Sequence, residues 1–142
     1  MFIPASCARL MPMAMRQLER VREIALALPE VTERLSAGAP CFIVSRKPIC
    51  RFHDSNFSSD DRISIWCPAS LGVREELETS EPDRFFSPTP SASGVFGDWI
   101  GVYLDTTGEL AVDWHEIAAI IEQAYRLRAS KKLVARLDQR DS

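Results

Sequence analysis

The hydrophobic period of this chain changes twice, and no other feature restricts its fold as much. From Met15 to Leu28 apolar residues recur at helical spacing. Leu18, Val21, Ala25 and Leu28 share one face with Ile24 beside them, and Arg16, Glu19, Arg20 and Glu23 take the other side. From Cys41 the period falls to two. CFIVS (Cys41 to Ser45) and ICRFH (Ile49 to His53) flank Arg46-Lys47-Pro48, which predicts a β-hairpin with a basic tip, and RISIWC (Arg62 to Cys67) predicts a third strand. From Asp113 the helical period returns. Amphipathic helices that bracket antiparallel strands make an α+β domain, with the helices covering one sheet face.

The remaining segments fit that frame. Pro29 disfavours helix at Leu28, and Gly38 and Pro40 mark a loop before the first strand. DSNFSSDD (Asp54 to Asp61) is a polar loop, and Ser70 is placed to cap a short helix reaching about Ser80, with Val73 and Leu77 inward. DRFFSP offers a short strand, and SPTPSASG (Ser87 to Gly94) is the most loop-like stretch. In DWIGVYL (Asp98 to Leu104), Ile100, Val102 and Leu104 alternate with Trp99, Gly101 and Tyr103. After the turn DTTGE, Asp113 and Glu116 form a capping-box pattern, followed by a stripe of Ile117, Ile120, Ile121 and Ala124. Trp114 and His115 fall in that helix's first turn, well past Trp99. Ser130 caps a last helix with Leu133, Val134 and Leu137 inward. We expect a tail over residues 1–14 and a single domain over 15–142, a usual size for one core.

Cys7, Cys41, Cys50 and Cys67 show no CxxC pair, and the opening MFIPASCARLMPMAM lacks the pattern of a signal peptide. No apolar run reaches membrane-spanning length. Reduced thiols, a cytoplasmic location and no membrane partner are the expectation.

Taken in order, ALALPEVTERLSAGAPCFIV, ISIWCPA, PDRFF, GDWIGVYLD and EQAYRLRASKKLVARL resemble the MmcQ/YjbR family over roughly Ala25 to Leu137. The resemblance implies a CyaY-like fold, an antiparallel β-sheet with N- and C-terminal helices packed on one face. It also implies DNA binding through a double-wing arrangement of hairpins, the description that family carries. No catalytic residues come with it. The loop SASGVFGD departs from the aromatic, Gly-rich stretch more usual in relatives.

Several residue groups invite chemistry. Cys50 and His53 have C-x-x-H spacing, with Cys41 and Cys67 as further metal ligands, but residues three apart on a strand point to opposite faces. Cys67 with His53 or His115 would make a nucleophile and base only if the fold brought them within hydrogen-bond reach. Glu75, Glu76, Glu78, Glu81 and Asp83 form an acidic ridge, which reads as a solvated helix face. No metal, cofactor or catalytic residue is therefore expected.

The net charge of −3 and pI of about 5.4 argue against a phosphate-binding surface that covers the molecule. A local patch is compatible with them. One part is the hairpin, with Arg46, Lys47 and Arg51, extended by Arg62. The other runs from Ala124 to Ser142, where Arg126, Arg128, Lys131, Lys132, Arg136 and Arg140 face only Asp138 and Asp141. Arg46, Lys47, Arg51, Arg62, Arg128, Lys131 and Lys132 are the nucleic-acid-binding candidates. Strand alternation places His53, Trp66, Trp99 and Tyr103 with Arg51 on the outer sheet face, a second candidate surface for a protein or small ligand. A turn at Arg46-Lys47 would put Cys41 and Ile43 with Cys50 and Phe52, and Phe42, Val44 and Ile49 on the outer face. The expected function is a non-enzymatic binding protein, with DNA as the leading partner. A protein- or ligand-binding module is the alternative, and an enzyme comes third.

Overall fold

The computed structural model describes residues 13–36, 38–54, 62–88 and 98–141. The elements run α1 (Met13–Leu26), β1 (Thr32–Ser36), β2 (Ala39–Val44), β3 (Lys47–His53), β4 (Ser64–Pro68), α2 (Leu71–Ser80), β5 (Phe85–Phe86), β6 (Trp99–Tyr103), a 3-10 turn (Gly108–Leu110), α3 (Trp114–Arg128) and α4 (Lys131–Asp141). The strands form one antiparallel sheet in the order β1-β2-β3-β4-β6-β5. The fold is α+β, as the change of period predicts. Helix α1 starts at Met13, and the preceding residues of the expected tail lie outside the described residues, as do 55–61 and 89–97.

Helix α3 lies over β3 and β4 with α1 alongside. Val21 and Ala25 of α1, and Ile117, Ile121, Ala124 and Tyr125 of α3, are buried against Phe42, Phe52, Ile65 and Val102 of the sheet. Each large apolar side chain buried in this way contributes about 1.5–3 kcal/mol. The Tyr125 hydroxyl, deep in this layer, donates to the Pro29 carbonyl at 2.9 Å and ties α3 to the segment after α1. Asp113 caps α3 by accepting from His115 N at 3.0 Å and Glu116 N at 3.4 Å. Glu116 does not complete the expected capping box. Its carboxylate pairs with Arg84, which also holds Glu81, so the group joins α2, β5 and α3. Ser70 occupies the N-cap position of α2 without a side-chain hydrogen bond, and Val73 is exposed rather than inward.

Strand β1 is the element that periodicity did not predict. TERLS has no buried residue and no alternation, because it is an edge strand whose outer side faces solvent. Two devices hold it. Gly38 takes φ 86 in the short turn between Ser36 and Ala39, and the Arg22 guanidinium binds Glu33 at 2.6 and 2.8 Å.

The β2–β3 hairpin corrects the expected register. Val44 pairs with Lys47, so the two turn residues are Ser45 and Arg46, not Arg46 and Lys47. Both take positive φ, 51 and 67, as a type I′ hairpin turn requires. Past the turn the register shifts by one residue. Cys41 pairs with Arg51, Phe42 with Cys50, and Ile43 with Pro48, which leaves Ile49 as the extra residue of a bulge. The bulge lets Ile49 and Cys50 both enter the core with Phe42 and Val44. Cys41 and Ile43 therefore lie on the Arg51 side, away from Cys50 and Phe52, and Phe42, Val44 and Ile49 are core residues.

Candidate nucleic-acid interface

The outer sheet face is built by register. Arg51 pairs with Trp66 and Trp66 with Gly101; His53 pairs with Ser64 and Ser64 with Tyr103; Pro68 pairs with Trp99. All of these alternate with the core residues Phe52, Ile65 and Val102, so His53, Trp66, Trp99 and Tyr103 share the face that periodicity assigned them. The rings are packed together. His53 stacks on Trp66 with centroids 3.7 Å apart, and Phe86 stacks on Tyr103 at 4.6 Å. Phe86 was not singled out in the sequence. Its signal was Gly101, where a Cβ would stand 2.1 Å from the Phe86 ring, so only glycine lets that ring cross the strand.

This face is not an open platform. His53 is 2% exposed and Trp99 4%, while Trp66 and Tyr103 are half-buried. Burial, with the nearby Arg51 charge adding to it, lowers the His53 pKa to about 4 and keeps the ring neutral at physiological pH.

The cations divide into two groups. Arg62 forms a two-pronged pair with Asp105, at 2.9 to 3.1 Å, and lies 3.7 Å over the Tyr103 ring. Asp105 also accepts from Ile63 N at 2.9 Å. Burial works against this carboxylate, but Arg62 and the Ile63 N–H outweigh it and hold its pKa below the usual range. Arg126 binds Asp138, and Arg136 binds Glu30. These guanidiniums are parts of the fold.

At the opposite end of β4, Lys47 and Pro48 from the start of β3, Arg51, Asp98, Trp99 and Arg128 line a cleft of about 440 Å³. The structure thus brings the hairpin and the end of α3 to one place, although 81 residues separate Lys47 from Arg128. Arg128 binds Asp98 at 2.5 Å, and Arg51 donates to the Ser36 carbonyl at 2.9 Å. Cys41 sits in the cleft wall, where burial raises its pKa despite the nearby Arg51, so it remains a neutral thiol. Arg46 stands on the exposed turn beside Lys47. Lys131 and Lys132 begin α4 just after Arg128 and are exposed. Among the described residues no ion pair engages Arg46, Lys47, Lys131 or Lys132.

Other groupings do not assemble. Cys50 and Cys67 are buried in the core, while His53 is on the other face and His115 is exposed on α3. Burial, and then Cys67 beside it, pushes the Cys50 thiol well up. No group of three metal-ligating side chains converges among the described residues. In the acidic ridge, Glu81 holds Arg84 and Glu78 accepts from Ser87, while Glu75 and Glu76 are exposed on α2. Among the described residues no helix is long and apolar enough to cross a membrane.

Comparison with known proteins supports this architecture. The model of the YjbR family matches residues 26–127. The solved structure of Deinococcus radiodurans protein DR2400, with domain DUF419, is similar in fold at a TM-score of 0.60 and 16% identity, over 81% of this chain and 80% of that one. No curated protein matches.

Proposed function

This chain belongs to the YjbR family, and we propose that it is a non-enzymatic binding protein that holds DNA by its phosphates. The observation that carries the reading is the Ser45-Arg46 turn. Its backbone geometry favours Asn-Gly, yet an arginine stands there with φ 67, and left-handed conformations cost non-glycine residues on the order of 1–2 kcal/mol. A strained backbone that displays a cation at an exposed tip is a feature expected of a binding site. Lys47 continues the tip, and Lys131 and Lys132 stand exposed at the start of α4, three and four residues after Arg128 of the cleft. The β2–β3 hairpin then acts as a wing against the DNA backbone. Three buried free thiols, Cys41, Cys50 and Cys67, fit a reducing cytoplasm.

Affinity from phosphate contacts is salt-dependent. Four neutralised phosphates give a slope of log K against log salt of about −3.6. The test titrates labelled duplex DNA from low to physiological salt, using wild type and the Arg46→Glu, Lys47→Glu, Lys131→Glu, Lys132→Glu variant. A steep wild-type slope and loss of most affinity in the variant are expected. Undetectable binding at low salt, or equal affinity in the variant, overturns the reading.

A further inference from the structure

We infer that the apolar pocket between α2 and α3 is a binding site for a small, neutral, largely apolar molecule of the size of a two-ring aromatic. The inference is independent of the DNA reading, since no lysine or arginine lines this pocket. The pocket follows from how α2 is mounted. No residue of α2 is buried, although Val73 and Leu77, one turn apart, share the face turned to the sheet. Glu81 at the C-cap of α2 and Glu116 in the first turn of α3 both grip Arg84. Just before α2 begins, Ala69 N donates to the Asp98 carbonyl at 2.9 Å. Ion pairs and a backbone bond thus brace α2 at both ends, and side-chain packing does not close the gap to α3. Protein interiors leave few voids larger than a water molecule, so a braced, preformed apolar space is a feature that a ligand explains.

Size and lining choose the ligand. Pro68 at the end of β4, Ile100 of β6, Val73 and Leu77 of α2, and Ile120 and Leu127 of α3 enclose about 230 Å³. An apolar cavity of about 150 Å³ takes benzene, and drug-sized ligands occupy about 300 Å³ or more. A two-ring molecule falls between them. Walls from four elements make the site concave, as a small-molecule site is and a flat docking face is not. Glu116 is the one ionised group in the lining, and Arg84 already matches it. An added anion would meet that carboxylate, and an ionised head of either sign would lose hydration against the apolar walls. The Ser70 hydroxyl makes no cap bond, and among the described residues no hydrogen bond engages the Gln123 carboxamide. Both line the pocket and can bond one polar group on the ligand. Val73 and Leu127, 46% and 49% exposed, would gain cover.

The experiment uses the full chain, calorimetric titration and thermal unfolding. Probes are benzene, indole, indole-3-carboxamide and indole-3-carboxylate, the last two nearly equal in shape and different in charge. One indole should bind per chain, more tightly than benzene, and should raise the melting temperature. The carboxamide should bind at least about tenfold more tightly than the carboxylate. Val73→Phe fills the pocket from an exposed position, so it should weaken indole at least about tenfold without lowering the melting temperature. Leu127→Gln, also exposed, should weaken indole several-fold. Duplex DNA affinity should be the same in Val73→Phe as in wild type.

Indole binding that Val73→Phe removes supports the pocket whether or not the chain binds DNA. No saturable binding of benzene, indole or the carboxamide overturns it and leaves the DNA reading standing. A carboxylate that binds as tightly as the carboxamide overturns the neutral ligand. Indole binding unchanged in both variants places the ligand elsewhere and overturns the site. Concentration-dependent dimerisation that Val73→Phe abolishes, without indole binding, would assign the face to a second copy of the chain instead.

Discussion

The two ends of the outer sheet face contain the same residue types arranged to different effect. At the end where β4 begins, Arg62 is gripped by Asp105 and laid over Tyr103, and Asp105 also anchors the Ile63 N–H. At the end where β4 finishes, Asp98 answers Arg128, while Arg46, Lys47, Lys131 and Lys132 stand exposed. The contrast shows that an arginine's role is set by whether a carboxylate is placed to meet it. Residue type and position on a strand do not decide it. The first end is a clasp; the second leaves Arg46 and Lys47 exposed without a carboxylate among the described residues.

The largest expected effect tests the closed end, where His53 is stacked under Trp66. Its folded pKa is about 4 against an ordinary value of 6.5, so the unfolded chain binds the proton more readily between those values. The associated stability is complete above pH 6.5 and is lost as pH falls toward 4. Between pH 7 and 4.5 the loss is about 2–3 kcal/mol. His53→Phe keeps the stacked ring and removes the titration, so comparing variant and wild type in urea at both pH values cancels the carboxylate contributions. Wild type should lose about 2 kcal/mol more than the variant. Equal losses would mean that the closed end does not hold a neutral imidazole.

Next in size is the clasp itself. Asp105→Asn weakens the paired bonds to Arg62 and should cost about 1–2 kcal/mol in denaturant unfolding. DNA affinity should stay within about twofold, since Arg62 belongs to the fold rather than to the interface. A variant of normal stability whose DNA affinity changes would reverse the assignment of the two ends.

How far the sequence anticipated this division depends on the range of each signal. The alternation of β4 and β6 was legible, because a period of two fixes the face of Trp66 and Tyr103 once Ile65 and Val102 face the core. The α1 and α3 stripes were legible for the same reason. Strand β1 was not, because an exposed edge strand needs no apolar alternation. The hairpin register was missed because Pro48 and the charges at Arg46-Lys47 resemble a turn, while the real turn uses Ser45 and Arg46 and is followed by a bulge. Which cations were clasped was also hidden. Arg62 and Asp105 are 43 residues apart, and Arg128 and Asp98 are 30 apart, so no local pattern pairs them. The cleft became visible only when the fold placed Lys47 beside Arg128.

The smallest effect concerns the open end and separates stability from binding within one turn. Ser45 and Arg46 both hold positive φ, a conformation that Asn and Gly adopt at lower cost. Ser45→Asn with Arg46→Gly should therefore raise stability by about 1 kcal/mol in thermal or urea unfolding. Removing the Arg46 guanidinium should at the same time lower DNA affinity several-fold and flatten the salt slope by about one unit. Ser45→Asn alone is the control: it relaxes half of the turn, retains the cation, and should gain a few tenths of a kcal/mol with affinity intact. A more stable double variant that binds as wild type does would show that the arginine at the tip serves no phosphate. A double variant of unchanged stability would show that the turn holds no strain to relieve, and the main physical reason for assigning the tip to binding would go with it.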